Sequence, residues 1–335
     1  MKKGICCAGN IIVDVTYYVD TYPNEGELVH IKSSSPRSLG GLAANCIEDL
    51  ARLDPTLPLY LAGNIGNDEI GDFARGVFAK HPNIDTSGVV NLGPTGYTLV
   101  IGNTSSKYRT FFTFTGGNGL FGEEHIDWDK LGADMIHAGY IFLLRNLDLP
   151  DEEYGTKMAR FLHTAQEHGL KTSTDIVSQS GADFVHAVPP ALKYVDYLTI
   201  NEYEAQQTTG IVLRDVTGRL HRENFKAALE KLRSFGVSTW TVIHCPEFGC
   251  GLDKNGKYCE FNSLDLPADY IKGTVGAGDA FGSGILYAAE KGWPLEKALK
   301  LATCAAAASL SEPGGTEGVG TVEEVLRLYD IYGQK

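Results

Sequence analysis

The sequence predicts an α/β protein, a β-sheet with helices on both faces. Two observations carry this. Short apolar runs alternate with amphipathic stretches along most of the 335 residues, and a glycine-rich loop opens an apolar helix near the C-terminal end. A composition of 43% hydrophobic and 21% charged residues suits a soluble globular chain large enough to bury a substantial core.

Taken in order, Ile5–Val15 reads as a buried strand, rich in Ile and Val. The stretch 16–38 is polar, contains Pro23 and Pro36, and alternates as a half-exposed strand pair would. Ala43–Leu53 has helical spacing, Leu59–Ile65 is a second strand, and Ile70–Lys80 is again helical. The stretch 95–115 alternates around a turn at Gly102–Ser106 and is expected to pair with 16–38 as a small inserted sheet. Gly116–Gly122 then returns the chain to the main sheet. Met135–Leu143, Thr172–Ile176, Tyr197–Ile200 and Thr239–His244 are further strands, and Glu153–His168 and Asn224–Phe235 are helices. Residues 1–335 are expected to form one domain carrying two insertions.

The formal net charge of −13 argues against a nucleic-acid or anionic-membrane partner, although a local site can still take ATP where Mg²⁺ offsets the phosphate charge. Seven cysteines without a C-x-x-C pair indicate reduced, buried thiols rather than zinc or a disulfide framework. The N-terminus loosely imitates a signal peptide, but Asn10 and Asp14 interrupt it, and no run approaches the ~18 apolar residues of a membrane span. A cytoplasmic protein is expected.

Two glycine motifs are rejected on context. Gly251–Lys257 matches the start of a phosphate-binding loop, yet Tyr258 stands where Ser or Thr would hold Mg²⁺, and Asn255-Gly256 signals a two-residue hairpin. Gly117-Asn118-Gly119-Leu120-Phe121-Gly122 matches a dinucleotide fingerprint but opens no convincing buried helix, so it reads as a loop. A nicotinamide-dependent oxidoreductase would have to rest on that fingerprint.

The run Gly273-Thr274-Val275-Gly276-Ala277-Gly278-Asp279-Ala280-Phe281 is more informative. Glycines before a buried helix bring bare N–H groups and the positive end of the helix dipole to one point, which suits an anion. Asp279 there is either a helix cap or a base that takes a proton while phosphate sits on the amides. Asp14, at a strand end, is either a cap or an acceptor for a polyhydroxylated ligand. Gly40-Gly41 opens a second helix with Asn45 facing back towards the loop. Asn201 and Glu204, three apart, are either a capping pair or a phosphate–Mg²⁺ relay.

In this order the three motifs resemble the ribokinase (PfkB) family of carbohydrate and nucleoside kinases over nearly the whole chain. Gly9-Asn10…Asp14, Gly66–Gly71, the Ala305–Ala308 helix and Pro313-Gly314-Gly315 fit as well. The resemblance implies a three-layer α/β/α sandwich with a mostly parallel sheet and a small β lid made by the two insertions. It implies that Asp279 takes the proton of the attacking sugar hydroxyl and that the amides of Gly276, Ala277 and Gly278 form the anion hole. Asn201 and Glu204 would organise phosphates and Mg²⁺, with Glu204 acting through water. Asp14, Gly40, Gly41 and Asn45 would hold substrate hydroxyls, and Thr274 and His244 would flank ATP. A homodimer through the lid is implied too, and the alternating apolar residues of Tyr97–Ile101 and Tyr108–Phe114 suit it.

The sequence departs from the family in three places. Gly273 replaces an Asp that helps hold a monovalent cation. His244 and Pro246 stand where Thr and Gly are usual near the nucleotide. Leu42 and Ala43 follow the glycine pair without the Lys of several members, which favours an unphosphorylated sugar. Lys107-Tyr108-Arg109 places positive charge on the lid, where Arg109 either is solvated or reaches an acidic or polar group of the substrate. The leading expectation is an ATP-dependent kinase of a small sugar or sugar acid, with ribose, fructose and 2-keto-3-deoxygluconate-like acids open. The alternative is a nucleoside kinase, for which Tyr17, Tyr18 and Phe112 are available to stack on a base.

Overall fold

Every residue of strand β1 (Ile5–Gly9) is buried, and its side chains divide between two cores. The computed structural model describes residues 3–106 and 108–333; Lys107 lies outside them. Ile5 and Cys7 enter one apolar cluster, Cys6 and Ala8 the other. This period-2 alternation is what a strand covered on both faces requires.

The chain continues through β2 (Ile12–Val19), β3 (Ser33–Ser34), β4 (Ser38–Gly40), α1 (Leu42–Leu53), β5 (Leu59–Asn64) and α2 (Glu69–Phe78). Then come β6 (Ile84–Val90), β7 (Gly96–Asn103), β8 (Arg109–Phe114) and β9 (Met135–Ile141). A two-stranded ribbon of β10 (Pro150–Asp151) and β11 (Gly155–Thr156) precedes α3 (Lys157–Glu167). Next are β12 (Lys171–Ile176), α4 (Phe184–Leu192), β13 (Tyr197–Asn201), α5 (Glu202–Thr209) and α6 (Phe225–Ser234). The last elements are β14 (Trp240–His244), β15 (Phe248–Leu252), β16 (Tyr258–Asn262), α7 (Ala277–Glu290), α8 (Leu295–Ser309) and α9 (Val322–Tyr332).

Nine strands form the large sheet in the order β16-β15-β14-β13-β12-β9-β1-β5-β6. The run from β14 to β6 is parallel, and β15 and β16 are antiparallel at one edge. Apolar residues of α1, α2, α7, α8 and α9 pack on one face, and those of α3 to α6 on the other. This is the three-layer α/β/α architecture that the sequence predicts. A second sheet, β3-β2-β7-β8 with β4 on β2, is built from the two polar segments.

Several expectations are refined. Ile5–Val15 is not one strand: it breaks at Asn10, and β1 and β2 belong to different sheets. At the break the buried Asn118 side chain accepts from Ile11 N–H at 3.2 Å and donates to Ile11 C=O at 2.8 Å, replacing a strand partner. Gly117–Gly122 is indeed a loop, with a 3-10 turn over Gly116–Leu120, and this bracing is its work. In the second sheet, 20–32 lies outside strands, and Gly102 and Asn103 still belong to β7, so the turn before β8 falls later than 102–106. The Asn255-Gly256 hairpin exists but has a five-residue connection, 253–257, because Asp253 Oδ1 accepts from the N–H groups of Asn255 and Lys257 at 2.8 and 2.9 Å. The α3 helix starts later than Glu153, after the β10–β11 ribbon, with Thr156 capping it.

The close contact of α7 with α8 sets where the N-terminus of α7 points. A Cβ at Gly284 would lie 2.6 Å from Ala302 Cα, so the helices need a glycine there. Overpacking costs about 1–3 kcal/mol, against roughly 1 kcal/mol that alanine gains over glycine in helix propensity. Gly284→Ala is therefore expected to lower the urea midpoint of unfolding.

Candidate active site

The parallel strands end on one side of the large sheet, where open α/β proteins place ligands. A cleft of about 1740 Å³ lies there between the strand ends and the second sheet, lined by Asp14, Asn45, Arg109, Tyr140, Asp175, Glu204, His244 and Asp279 among others. Gly40, Gly41, Asn201, Thr274, Gly276 and Gly278 line it too.

Helix α7 enters the cleft by its N-terminus. Its cap residue Gly276 is left-handed (φ +77°), and a Cβ there would lie 2.5 Å from Gly315 Cα and O. Only glycine meets both demands. The first hydrogen bond of the helix runs from Ala280 N–H to Gly276 C=O. The preceding amides of Ala277, Gly278 and Asp279 are the donors that a helix start leaves unpaired within itself, and with the dipole they suit an anion.

Asp279 is not the cap, since no side chain caps α7. It is 7% exposed. Its Oδ2 accepts from Asn45 Nδ2 at 2.8 Å, and its Oδ1 accepts from the Tyr140 hydroxyl. Burial pushes its pKa up, while the Tyr140 and Asn45 donors oppose the rise. Asn45 Oδ1 is buried without a hydrogen-bond partner among the described residues.

Asp14 faces the glycine pair: a Cβ at Gly40 would lie 2.9 Å from both Asp14 carboxylate oxygens. Gly41 has φ +85°, and a Cβ there would lie 2.7 Å from Asn10 O. Burial, then the charge of Asp279, pushes the Asp14 carboxyl up to about 7, and Arg109 partly offsets this. Arg109, at the start of β8, makes no ion pair with any described residue.

Asn201 and Glu204 form the capping box of α5. The Asn201 side chain accepts from Glu204 N–H at 3.0 Å, and Glu204 Oε2 accepts from Asn201 N–H at 2.9 Å. Glu204 Oε1 accepts from Asn201 Nδ2 and Ser178 Oγ, both at 2.7 Å. Burial raises the Glu204 carboxyl to about 7 against these donors. Asp175, at the end of β12, is pushed up by burial and then by Glu204 and Asp279. His244 stacks on Phe281 at 4.9 Å, and burial lowers its pKa to about 4, so the imidazole is neutral near pH 7. Gly273 packs tightly, since a Cβ there would lie 2.8 Å from Pro313 O.

The fold thus brings the predicted site residues to the lining of one cleft, except Ala277, which lies between the lining residues Gly276 and Gly278. It also adds three that the sequence reading missed: Tyr140, Asp175 and Ser178. Their only sequence signal is position: Tyr140 and Asp175 lie in the second halves of predicted strands, and Ser178 just beyond one. Among Tyr17, Tyr18 and Phe112, only Tyr18 lines the cleft, and Phe112 is 58% exposed. No group of three or more His, Cys, Asp or Glu residues among the described residues could hold a metal directly. Glu204 Oε1 already accepts two hydrogen bonds and Oε2 one, so Glu204, beside Asp175, fits Mg²⁺ through water.

A cleft with an anion-binding helix start and a sequestered carboxylate is the equipment of group-transfer enzymes that act on hydroxyls. The model of the pfkB family of carbohydrate kinases matches residues 2–321, and the chain belongs to that family, the phosphotransferases with an alcohol group as acceptor. It is 25% identical over 324 residues to ribokinase of Arabidopsis thaliana, covering 96% of this chain and 79% of that protein. It is 22% identical over 298 residues to 5-dehydro-2-deoxygluconokinase of Clostridium perfringens, covering 86% and 82%. The structure of Arabidopsis thaliana ribokinase complexed with ribose and ATP superimposes with a TM-score of 0.79 at 20% identity, covering 98% and 99% of the two chains. Among the described residues, no helix is long and apolar enough to cross a membrane.

The raised Asp14 carboxyl has a consequence for stability. The folded chain holds this proton up to about 7, whereas an ordinary Asp releases it near 3.8. The folded state thus binds more protons than the unfolded state in that window, and stability falls as pH rises through it. Asp14→Asn removes this contribution, so its urea midpoint is expected to gain on wild type between pH 4 and pH 7. Parallel midpoints across the window would contradict the assignment.

Proposed function

We propose that this chain transfers the γ-phosphate of ATP to a hydroxyl of a small unphosphorylated sugar or sugar acid, with Asp279 as general base. The observation that carries the reading is the Asp279 carboxylate, held by Asn45 and Tyr140 at the N-terminus of α7 beside amides that the helix leaves unpaired. The acceptor hydroxyl gives its proton to Asp279 as its oxygen attacks the γ-phosphorus, and the bond to the ADP oxygen breaks. The amides of Gly276, Ala277 and Gly278 stabilise the charge that spreads over the phosphoryl oxygens. Mg²⁺ offsets phosphate charge when bound, and Glu204 with Asp175 and Asn201 would orient its water shell. Asp14, Gly40, Gly41 and the free Asn45 Oδ1 hold acceptor hydroxyls. His244 and Thr274 flank the nucleotide, and the neutral His244 adds no charge beside the phosphates.

Arg109, which lines the cleft and makes no ion pair among the described residues, favours a sugar acid, since a guanidinium matches a carboxylate in geometry and charge. The 5-dehydro-2-deoxygluconokinase relative supports this choice. On this reading the chain is one domain whose second sheet, with insertions near 16–38 and 95–115, is a lid over the acceptor. The seven free, buried cysteines suit a cytoplasmic location.

The test is ADP release against a panel of sugars, sugar acids and nucleosides, with Asp279→Asn as control. Asp279→Asn is expected to lower turnover at least ~10²-fold while ATP still raises the melting temperature. Near-normal turnover would remove Asp279 from the role of base, and turnover confined to nucleosides would replace the sugar reading.

The second sheet also exposes Phe112 and Phe114 at 58% and 44%, whereas its exposed Tyr108 and Phe111 line the cleft. An apolar strand left this open favours a partner, and we read it as the face of a homodimer. Light scattering at micromolar concentration is expected to give twice the chain mass; the mass of one chain would end this reading.

A further inference from the structure

The two donors on Asp279 come from different elements. Asn45 lies on α1, close to the glycine pair that the sequence already singles out, whereas Tyr140 lies in β9 and belongs to no motif. The Tyr140 ring is anchored through its own backbone. Its N–H donates to Asn10 Oδ1 at 2.9 Å, and Asn10 Nδ2 donates to Leu143 O at 3.1 Å. Two residues on, Phe142 N–H donates to Asp148 Oδ1 at 2.8 Å. The segment carrying the phenol is thus tied at Asn10 and again at Asp148, and the hydroxyl meets Asp279 Oδ1 from a fixed direction.

We propose that Tyr140 is a positioning residue for phosphoryl transfer: its hydroxyl locks one Asp279 oxygen, so that a free lone pair of the carboxylate faces the acceptor hydroxyl. This rests on Asp279 being the base. With only the Asn45 bond the carboxylate can rotate about its Cβ–Cγ bond; with bonds to both oxygens it cannot. Each oxygen has more than one lone-pair direction, so both bonds leave room for the incoming proton. Tyr140 keeps its own proton throughout, because burial and then the Asp279 charge push its pKa up. The transferred proton ends on Asp279, as the acceptor oxygen bonds to phosphorus and the ADP oxygen leaves.

The groups facing Asp279 are few in kind. Cys7 on β1 and Cys46 and Asp49 on α1 are all pushed up by burial, as is Asp175 on β12. Burial holds His244 on β14 neutral, and burial with the charge of Asp279 pushes the Asp14 carboxyl on β2 up to about 7. Tyr140 bonds Asp279 and not Asp14, so a change confined to the phenol reports on Asp279.

The experiment compares wild type, Tyr140→Phe and Asp279→Asn as full chains. Turnover is measured with ATP and whichever of D-ribose, D-fructose and 2-dehydro-3-deoxygluconate gives the fastest ADP release. Separately, and without acceptor, the Asp279 carboxyl is titrated by carbon NMR, its signal identified by its loss in Asp279→Asn. Removing a donor to a carboxylate raises its pKa, and a bond to a charged group corresponds to about one pH unit. Tyr140→Phe is expected to shift the Asp279 titration up by about that amount. It is also expected to lower kcat at pH 7 about tenfold and leave the acceptor KM within about twofold. The position of a titration does not depend on how much protein is folded, so partial unfolding cannot imitate the shift. An unmoved titration, or kcat within about twofold of wild type, overturns the role of Tyr140 while an inactive Asp279→Asn leaves the base in place. An active Asp279→Asn overturns the base itself, and with it this proposal.

Discussion

A carboxylate buried at a helix start must be held by donors or it takes up a proton, and much of the cleft is arranged around that constraint at Asp279. Burial alone favours its neutral form. Two donors, Asn45 from α1 and Tyr140 from β9, oppose this. Both oxygens are therefore tied to the framework of the large sheet and its flanking helices. The glycines serve the same end: Gly276 turns the chain into α7 while touching Gly315, and Gly284 lets α7 settle on α8. Direction at the helix start is set by packing well behind it.

A contrast is provided by Glu204. It too is buried, yet its donors come from its own capping box and from Ser178, all on the adjoining strand ends. That carboxyl is satisfied locally and can act on a ligand only at second hand. Asp14 lies between the two cases. Gly40 lies close against it, but no donor is fixed on it among the described residues, and burial with the charge of Asp279 pushes its carboxyl up to about 7.

Much of this was legible in the sequence, because the signals were local. Apolar strand runs, helical spacing and the glycine turns each act over a few residues, and the three motifs fell into one cleft as their order implied. The failures share a different cause. The break at Asn10 is braced by the side chain of Asn118, which bonds Ile11 from 107 positions later, so an apolar run gave no warning of it. Tyr140 reaches Asp279 across 139 positions and sits in a strand where a tyrosine looks like ordinary apolar filling. Helix α4 was missed because Pro189 and Pro190 lie inside it and read as breakers. Asp175 ends a strand like many polar residues that do nothing more.

The cleft can also be seen as a caliper. Asp14 and Gly40 ride on β2 and β4 of the second sheet, whereas Asp279 rides on α7 against the large sheet. The chain joins the jaws four times: at Asn10–Ile11, where Asn118 pins both backbone groups of Ile11, at Gly40-Gly41, where β4 passes into α1, between β6 and β7, and between β8 and β9. The opening between them is thus gauged by these crossings, one of them braced by a single amide side chain. Sequence drift on the outer faces of the second sheet can reshape one jaw while the other keeps its setting, so long as Asn118 holds the pivot.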